Sequence, residues 1–324
     1  MQVLGGGTLL SGSKVQFRTD NSRYFCAEGG GGGQLNATRT QPSEWETFEI
    51  IAPDTALGLP ISDGQNIRLQ CSNGYFVCAE DGGGREVNAT RRIADSWETF
   101  VIEGVQGGVA PAFQPGTFMF TFDSMIISNT RSRHNDTDYA SLSVAVNDGP
   151  PQTVKKFIGN LNNGTYTVGL SIGPIAIASP TDKVAFNYLV VNAGHQDNAK
   201  IDKILTDIGQ GLSQAGTRAA ISAAGALAGA VVGSTVGSFI MPAVGTAIGV
   251  AVGWLGGQLT GILTADCDGT VAIEQVGVTG QQLAGMLAAG APYAHWTYHP
   301  GSDSSTGCGS NSMYFCHWSV QRLS

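Results

Sequence analysis

Four groups of residues have the types and spacing to carry chemistry, and the most specific is Gly169-Leu-Ser171-Ile-Gly173. In hydrolases a Gly-x-Ser-x-Gly sequence places a nucleophilic serine on a sharp turn between a strand and a helix. Here Pro174 and a strand-like run follow the serine, so the required helix is not predicted. The sequence therefore predicts an ordinary strand end at Ser171.

Histidines and cysteines near the C-terminus form the second and third groups. His295 and His299 lie in a strand-like run, where positions i and i+4 share a face but are about 13 Å apart at ~3.3 Å per residue. That separation argues against a zinc site. Cys308 and His317 could form a thiol–imidazole pair, but the neighbouring Cys316 favours a surface disulfide or free thiols.

The fourth group collects oxygen ligands in His134-Asn-Asp-Thr-Asp138, which could bind calcium at the end of a strand. The segment lacks the Asp-x-Asp-x-Asp-Gly and the distal glutamate of an EF-hand, so a solvated turn is the favoured interpretation. The sequence also lacks a Walker loop, a dinucleotide fingerprint and His-Glu-x-x-His. We therefore expect no enzyme, no cofactor and no metal.

Composition narrows the class of protein further. Charged residues make up 13% of the chain, glycine accounts for 46 of 324 residues, and the net charge is −8. An acidic chain does not attract phosphates, so nucleic acid is not an expected partner. The N-terminus has no basic start followed by an apolar run, so we expect no secretory signal. The localisation is therefore left open, and release or export by a non-classical route is one alternative. Four Asn-x-Thr sequons then carry no functional weight: Asn36, Asn88, Asn135 and Asn163.

The elements that would position these residues begin with an internal repeat at a fixed offset of 52 residues. Each copy has four short apolar runs separated by Gly, Asn, Asp or Pro, a pattern that predicts a four-stranded unit joined by turns. The matching segments are Val15-Gln-Phe17 with Ile67-Arg-Leu69, Phe25-Cys-Ala-Glu28 with Val77-Cys-Ala-Glu80, Asn36-Ala-Thr-Arg39 with Asn88-Ala-Thr-Arg91, and Trp45-Glu-Thr-Phe48 with Trp97-Glu-Thr-Phe100.

This order of motifs resembles the fascin-like β-trefoil repeat over residues 11–104. A trefoil has three such lobes, and a further shift by 52 residues finds no third set of motifs. Either a divergent segment completes the barrel, or two chains supply lobes to each other. The resemblance implies a module at residues 1–106 that binds filaments or carbohydrate, although a fold alone does not fix a function.

The repeated aromatic residues have two interpretations. Trp45, Trp97, Phe48 and Phe100 could stack on sugar rings, but residues that repeat together with the fold are more often lobe core, and we predict that role. Any sugar site is then expected in exposed turns. The paired thiols, Cys26 and Cys78, are predicted to be small buried hydrophobic residues.

Residues 107–324 are predicted to form an antiparallel β-sandwich with a helical insertion at about 197–265. Alternating strand-like runs lie at 117–122, 139–146, 165–170 and 183–191, and three more follow the insertion at 270–278, 293–299 and 313–320. The insertion starts with an amphipathic helix whose apolar positions recur with 3.6-residue spacing: Ala199, Ile201, Ile204, Leu205, Ile208 and Leu212.

The rest of the insertion, residues 219–265, is 47 residues long and has no charged side chain. Met241-Pro242 divides it into two halves of 22 residues, each about 33 Å long as a helix against a ~30 Å bilayer core. Glycines at every fourth position place one stripe of small residues on each half, the pattern of a glycine-zipper hairpin. The stripe residues are Gly225, Gly229, Gly233, Gly237, Gly245, Gly249, Gly253, Gly257 and Gly261.

Two functions from different classes fit this pattern. The favoured hypothesis is a membrane-active, pore-forming or toxin-like homo-oligomer, with membrane lipid or a surface glycan as partner. In it a sheltered hairpin inserts after the N-terminal module binds its ligand, because Ala and Gly make insertion only weakly favourable per residue. The alternative is a soluble lectin-like or filament-binding protein in which the glycine-rich pair is buried and purely structural.

Overall fold

The chain is mainly β, and every paired strand runs antiparallel to its neighbour. The computed structural model describes residues 1–105, 108–133, 135–147, 149–194, 199, 201–203, 205–207, 209, 211, 230–232, 239–241, 267–301 and 311–324. Two compact units divide the chain: unit 1 contains residues 1–113 and 281–291, and unit 2 contains residues 114–280 and 292–324.

The two predicted repeats of unit 1 have the same order of elements. Each begins with a strand and continues with a hairpin, in which a 3-10 turn that starts at the glutamate of Cys-Ala-Glu follows the first strand. A second 3-10 turn at Trp-Glu and a closing strand complete the repeat. The strands are β1 (Gln2–Val3), β2 (Lys14–Gln16), β3 (Tyr24–Ala27), β4 (Leu35–Arg39), β5 (Phe48–Ile51), β6 (Asn66–Gln70), β7 (Phe76–Ala79), β8 (Val87–Arg91) and β9 (Phe100–Val101). The helix α1 (Gly280–Met286), which the sequence analysis did not predict, brings Leu283 and Met286 into buried positions.

The sheet of unit 1 links the two repeats through β5 and β6. The order β1-β2-β5-β6 continues from β6 to β9 and to β7-β8, while β3 and β4 form a separate hairpin. Alternate side chains of these strands point inward and form the core around Val15, Phe48, Ile50 and Ile67, none of which is more than 5% exposed.

Unit 2 contains two four-stranded sheets that the sequence analysis predicted in part. Sheet I has the order β13-β10-β19-β18, and sheet II has the order β12-β11-β14-β17. All seven predicted strand runs are strands, whereas β12, which starts just after a Pro-Pro turn, was not predicted. The bounds are β10 (Gly116–Asn129), β11 (Asp136–Val146), β12 (Gln152–Leu161), β13 (Gly164–Ile177), β14 (Lys183–Asn192), β17 (Gly269–Thr279), β18 (Tyr293–Pro300) and β19 (Met313–Arg322).

The strands that follow the insertion complete both sheets. β17 pairs with β14, and β19 pairs with β10, which confirms the predicted pairing across the insertion. Aromatic side chains from the two sheets contact each other, with ring centroids 5.3 Å apart for Phe120 and Phe186 and 4.6 Å apart for Phe186 and Trp318. These rings form the centre of the core of unit 2.

The amphipathic helix predicted after residue 197 is present at its described positions, since residues 199, 201–203, 205–207, 209 and 211 are helical. Ile201 and Leu205 are buried. Asn187 of β14 donates from Nδ2 to the carbonyl oxygen of Gly209 (3.2 Å), and a methyl group at Gly209 would collide with Ser143 of β11. The helix therefore covers one face of sheet II, which explains why β14 is buried on both faces while β13 alternates between buried and exposed.

The uncharged segment departs from the predicted helices where it is described. Residues 230–232 and 239–241 form two short antiparallel strands, β15 (Ala230–Val232) and β16 (Phe239–Met241). Helix was predicted at all of these residues except Met241, which belongs to the predicted break. The physical reason for the difference is that four of the residues are β-branched or aromatic, which favours extended backbone: Val231, Val232, Phe239 and Ile240. The predicted zipper residues, Gly225, Gly229, Gly233, Gly237, Gly245, Gly249, Gly253, Gly257 and Gly261, lie outside the described residues.

Candidate functional site

The motif residues of unit 1 form the same ion-pair network in both repeats. Arg39 donates to the carboxylate of Glu28 (2.9 Å), and Arg91 donates to that of Glu80 (2.8 Å). The amide of Asn88 donates to Glu80 (3.0 Å), as the amide of Asn36 does to Glu28 (2.6 Å). The hydrogen bond from Asn88, followed by that from Arg91, lowers the pKa of Glu80. Two of the sequon asparagines are therefore structural residues that hold the hairpins.

A buried carboxylate lies at the centre of each Trp-Glu-Thr-Phe motif. Glu46 is 1% exposed and Glu98 is 2% exposed, and each caps its own 3-10 turn by accepting a backbone N–H, from Ser43 (2.7 Å) and Asp95 (2.8 Å). Burial acts to raise the pKa of Glu46, but hydrogen bonds from Cys26 and from Ser43 outweigh it, so the pKa lies below its usual value.

The repeated thiols are buried, as predicted. Burial, followed by a hydrogen bond with the buried glutamate of the Trp-Glu-Thr-Phe motif of the same repeat, raises the pKa of each thiol. The pKa is about 11 for Cys26 and about 12 for Cys78. Cys71 is buried as well, and burial raises its pKa to about 12. Thiols with such pKa values are protonated at neutral pH and do not act as nucleophiles.

The prediction that the tryptophans are lobe core is wrong. Trp97 is 36% exposed with the guanidinium of Arg91 5.4 Å from its ring centroid, and Trp45 is half-buried. Phe48 is buried as predicted, and Phe100 is half-buried and packs against the same core. In each motif the glutamate that caps the 3-10 turn is the buried residue, and the tryptophan before it is the more exposed one.

An apolar pocket of about 180 Å³ opens between the two repeats. Eight side chains line it, all apolar, and they are four pairs that lie 52 residues apart in the sequence. Phe48, Leu69 and Phe100 come from the strands β5, β6 and β9, and Phe17 directly follows β2. Phe25 with Val77 and Leu35 with Val87 come from the two hairpins. The 52-residue offset relates the two members of every pair, so the repeat itself is the sequence signal that points to these lining positions.

The lining of the pocket limits what it can bind. Sugar recognition needs side chains that hydrogen-bond hydroxyl groups, and the eight lining side chains offer none. Two of them are open to solvent, since Phe25 is 37% exposed and Val87 is 43% exposed. The pocket therefore suits an apolar group of about the size of one large side chain.

In unit 2 the acidic residues of the candidate calcium segment, for which a solvated turn was the favoured interpretation, point into the protein. Tyr314 Oη lies 2.6 Å from Asp136 Oδ2 and 2.9 Å from Asp138 Oδ2, and all three residues are fully buried. Burial, followed by the charge of Asp136, raises the pKa of Asp138 well above its usual value. The favoured solvated turn is thus wrong at these two residues, which form a proton-sharing cluster with the tyrosine.

The two candidate zinc ligands share the inner face of β18, and both are buried. His299 Nε2 hydrogen-bonds Tyr188 Oη (2.7 Å), and the adjacent Glu274 accepts a hydrogen bond from Thr297 Oγ1 (2.6 Å). Burial raises the pKa of Glu274. Within the described residues, no group of three metal-ligating side chains is placed to hold an ion.

The candidate nucleophiles are not set up for attack. Ser171 lies inside the strand β13 (Gly164–Ile177) and not at the predicted strand end, and its hydroxyl hydrogen-bonds that of Thr121 (3.1 Å). Cys316 is a completely buried free thiol, which agrees with the free-thiol alternative of the prediction and not with the surface disulfide, and burial raises its pKa well above the usual value. Cys308 lies outside the described residues.

The insertion leaves sheet II and returns to it at one point. Asn192, the last residue of β14, pairs with Gly269, the first residue of β17. The returning chain is held there because Asn192 Nδ2 (3.0 Å) and Arg131 Nε (2.8 Å) both donate to the carbonyl oxygen of Cys267, which is disulfide-bonded. The two ends of the insertion are thus fixed side by side.

Comparison of the chain with protein-family models and with curated proteins gives no match. Among the helices that the structure describes, none combines the length and the hydropathy needed to cross a bilayer.

Proposed function

We propose that the protein is a membrane-active, pore-forming or toxin-like protein. Residues 219–265 would be the membrane element, and the N-terminal module would target it to a lipid or glycan surface. The observation that carries the proposal is the segment of 47 uncharged residues with nine glycines in two stripes. Each interior glycine costs about 1 kcal/mol relative to alanine in a helix in water, whereas in lipid small residues allow the close backbone packing that holds helices together.

The attachment of the insertion supports conditional release. Because Asn192 and Gly269 are neighbours in sheet II, the segment between them can move without breaking the pairing of β14 with β17. The finer architecture belongs to the same proposal: two fascin-like trefoil lobes, a β-sandwich scaffold formed by sheets I and II, and a hairpin that becomes fully helical on insertion. Helix satisfies every backbone hydrogen bond within the segment, as the bilayer core requires.

The proposed sequence of events has three steps. The N-terminal module binds its surface ligand, the hairpin leaves the scaffold, and copies of the hairpin associate through their glycine stripes to line a lesion. The proposal thus describes a homo-oligomer that needs no cofactor.

One observation favours the alternative of a soluble binding protein. Strands β15 and β16 pair with each other, so part of the uncharged segment has a defined fold in the described form. In that alternative the segment stays in place and the protein binds a glycan or a filament through unit 1.

Dye release from liposomes distinguishes the two. We expect the full-length protein to release an encapsulated dye from vesicles of at least one lipid or glycolipid composition, together with a rise in helical circular dichroism. The soluble alternative predicts no release and an unchanged spectrum across all compositions.

A further inference from the structure

The two repeats of unit 1 meet through a glycine turn and a receiving surface. The turn of the first repeat packs on the second repeat, where Asn73 Nδ2 donates to the carbonyl oxygen of Gly31 (2.9 Å). Gly32 N donates to the carbonyl oxygen of Ala89 (2.7 Å), and Ala89 N donates to that of Gly33 (3.0 Å). Ala89 is completely buried and is also part of the core of unit 1.

The second repeat has the same turn, and among the described residues nothing packs on it. Gly82 and Gly83 are equivalent to Gly30 and Gly31 by the 52-residue offset, and they keep positive φ angles of 72° and 108°. A methyl group at either would meet no atom within 4 Å, whereas at Gly31 it would lie 2.5 Å from the Oδ1 of Asn73. The turn of the second repeat therefore has no receiving surface packed against it in the described part of the chain, unlike the turn of the first repeat, which packs on the receiver around Asn73 and Ala89.

The first repeat has the equivalent of the receiving surface, but no glycine turn packs on it among the described residues. Asn21 and Ala37 are equivalent to Asn73 and Ala89, yet Asn21 is exposed and Ala37 is only half-buried. The apolar pocket connects the two surfaces along the chain, because Leu35 of β4 lies two residues before Ala37. On the other side, Val87 of β8 lies three residues after the turn formed by residues 80–84.

Strand edges add to the unfilled surface. Among the described ladders, β9 pairs only with β6, and β1 pairs only with β2. Val101 of β9 is 59% exposed, next to Phe100, which lines the pocket. An unpaired edge beside exposed apolar side chains is a surface that proteins normally cover.

We propose that a second copy of this chain binds this surface of unit 1. The glycine turn at residues 80–84 of each copy would dock on the receiver around Asn21 and Ala37 of the other, with the two apolar pockets between them. The chain itself shows that a lobe covers this kind of surface, since its own first turn sits on its own second receiver. When each copy contributes its turn to the receiver of the other, the two contacts are equivalent and the dimer is two-fold and isologous, whereas a single turn-on-receiver contact would give head-to-tail rings or chains. The proposal concerns unit 1 in solution and does not depend on membrane insertion.

Sedimentation equilibrium of the full-length protein without lipid, at about 1 to 100 µM, tests the proposal. We expect a reversible monomer–dimer equilibrium. Val87→Asp, which places a charge at the rim of the pocket, and Asn21→Ala, which removes the receiving amide, should each raise the dissociation constant by about tenfold or more. Ile93→Asp is the matched control, because Ile93 is 60% exposed in the same repeat and does not line the pocket.

Both variants change exposed side chains, but Asn21 Oδ1 also accepts a hydrogen bond from Thr19 Oγ1, so the melting temperature of each variant is compared with that of the parent protein. Val87→Asp removes no hydrogen bond and keeps the test independent of that local contact. A parent protein that stays monomeric at the highest concentration would overturn the proposal. So would association that Val87→Asp and Asn21→Ala leave unchanged. Binding of a fluorescent fatty acid to a monomeric parent, lost in Val87→Asp, would show that the pocket holds a lipid chain instead. Liposome leakage is measured separately, so either proposal can fail alone.

Discussion

At the scale of single residues, the repeat is held by two buried carboxylates that sequence reasoning passed over in favour of tryptophan. Glu46→Ala should lower the free energy of unfolding of unit 1 by ~1–3 kcal/mol, because it leaves the backbone N–H and the hydroxyl of Ser43 without their buried acceptor. Glu44→Ala is the matched control in the same 3-10 turn, where the side chain is exposed. Urea denaturation followed by circular dichroism measures both. Equal losses for the two variants would contradict the structural role of Glu46.

The lowered pKa of Glu46 gives this prediction a pH dependence. A carboxyl group whose folded pKa lies below its unfolded value of ~4.3 stabilises the fold above that value and loses the contribution as pH falls through the folded pKa. The stability difference between the parent protein and Glu46→Gln should therefore be full at pH 7 and shrink in acid. A stability difference that grows below pH 4 would contradict the lowered pKa of Glu46.

The contribution of Asp138 to stability depends on pH in the opposite direction to that of Glu46, because its pKa is raised. Tyr314 has one hydroxyl proton and contacts two carboxyl groups, so a proton on Asp138 completes the cluster, in agreement with its raised pKa. Stability from such a group is complete below the unfolded pKa of ~3.9 and is lost as pH rises towards the folded pKa, at up to ~1.4 kcal/mol per pH unit.

Asp138→Asn removes this dependence. Its stability relative to the parent protein should rise with pH through that window and then level off. Denaturation curves at several pH values measure the difference, and a constant offset across the window would show that Asp138 is ionised in the folded protein.

At the scale of elements, the faces of the strands decide which side chains matter. Trp318 of β19 is buried against Phe186 of sheet II, whereas Trp296 of β18 lies on the other face of sheet I, half-buried beside His317. Trp318→Ala should cost ~3–5 kcal/mol of stability, and Trp296→Ala should cost clearly less. Thermal unfolding of both variants provides the comparison. Similar melting temperatures for the two would mean that sheets I and II do not share the core described for unit 2.

Much of this element structure could be predicted because alternation is a strong local signal. Strands such as β10 and β14 are long, carry β-branched and aromatic side chains, and end at turn residues. The strand β12 was missed because its lysines and its exposed Phe157 follow no clear alternation. The helix α1 is too short for its periodicity to stand out, and its burial depends on contacts with distant residues such as Gly58.

The same limit applies to the candidate sites. The offset of 52 residues identifies equivalent positions, but it cannot tell which of them face inward. Glu46 and Trp45 are adjacent and equally repeated, and only the capping of Ser43 decides that the charged side chain is the buried one. In the same way, His299 and Asp138 have the side chains of metal ligands, but each hydrogen-bonds a tyrosine in the core.

At the scale of the whole molecule, the account predicts that the uncharged segment acts through its glycine stripes. Gly229→Leu with Gly249→Leu adds bulk to both stripes and raises hydrophobicity. A simple hydrophobic anchor would then bind vesicles as well or better, whereas a zipper would lose the close approach of its helices. Ala224→Leu with Ala251→Leu is the matched control, since it adds the same side chains away from the stripes.

Dye release from liposomes, measured with flotation on the same samples, tests the central claim most directly. The account predicts release by the parent protein and by the alanine-to-leucine control, and it predicts that the glycine-to-leucine protein floats with the vesicles but releases little dye. Absence of release by the parent protein across several lipid and glycolipid compositions would contradict membrane activity. Equal release by all three proteins would contradict the glycine zipper.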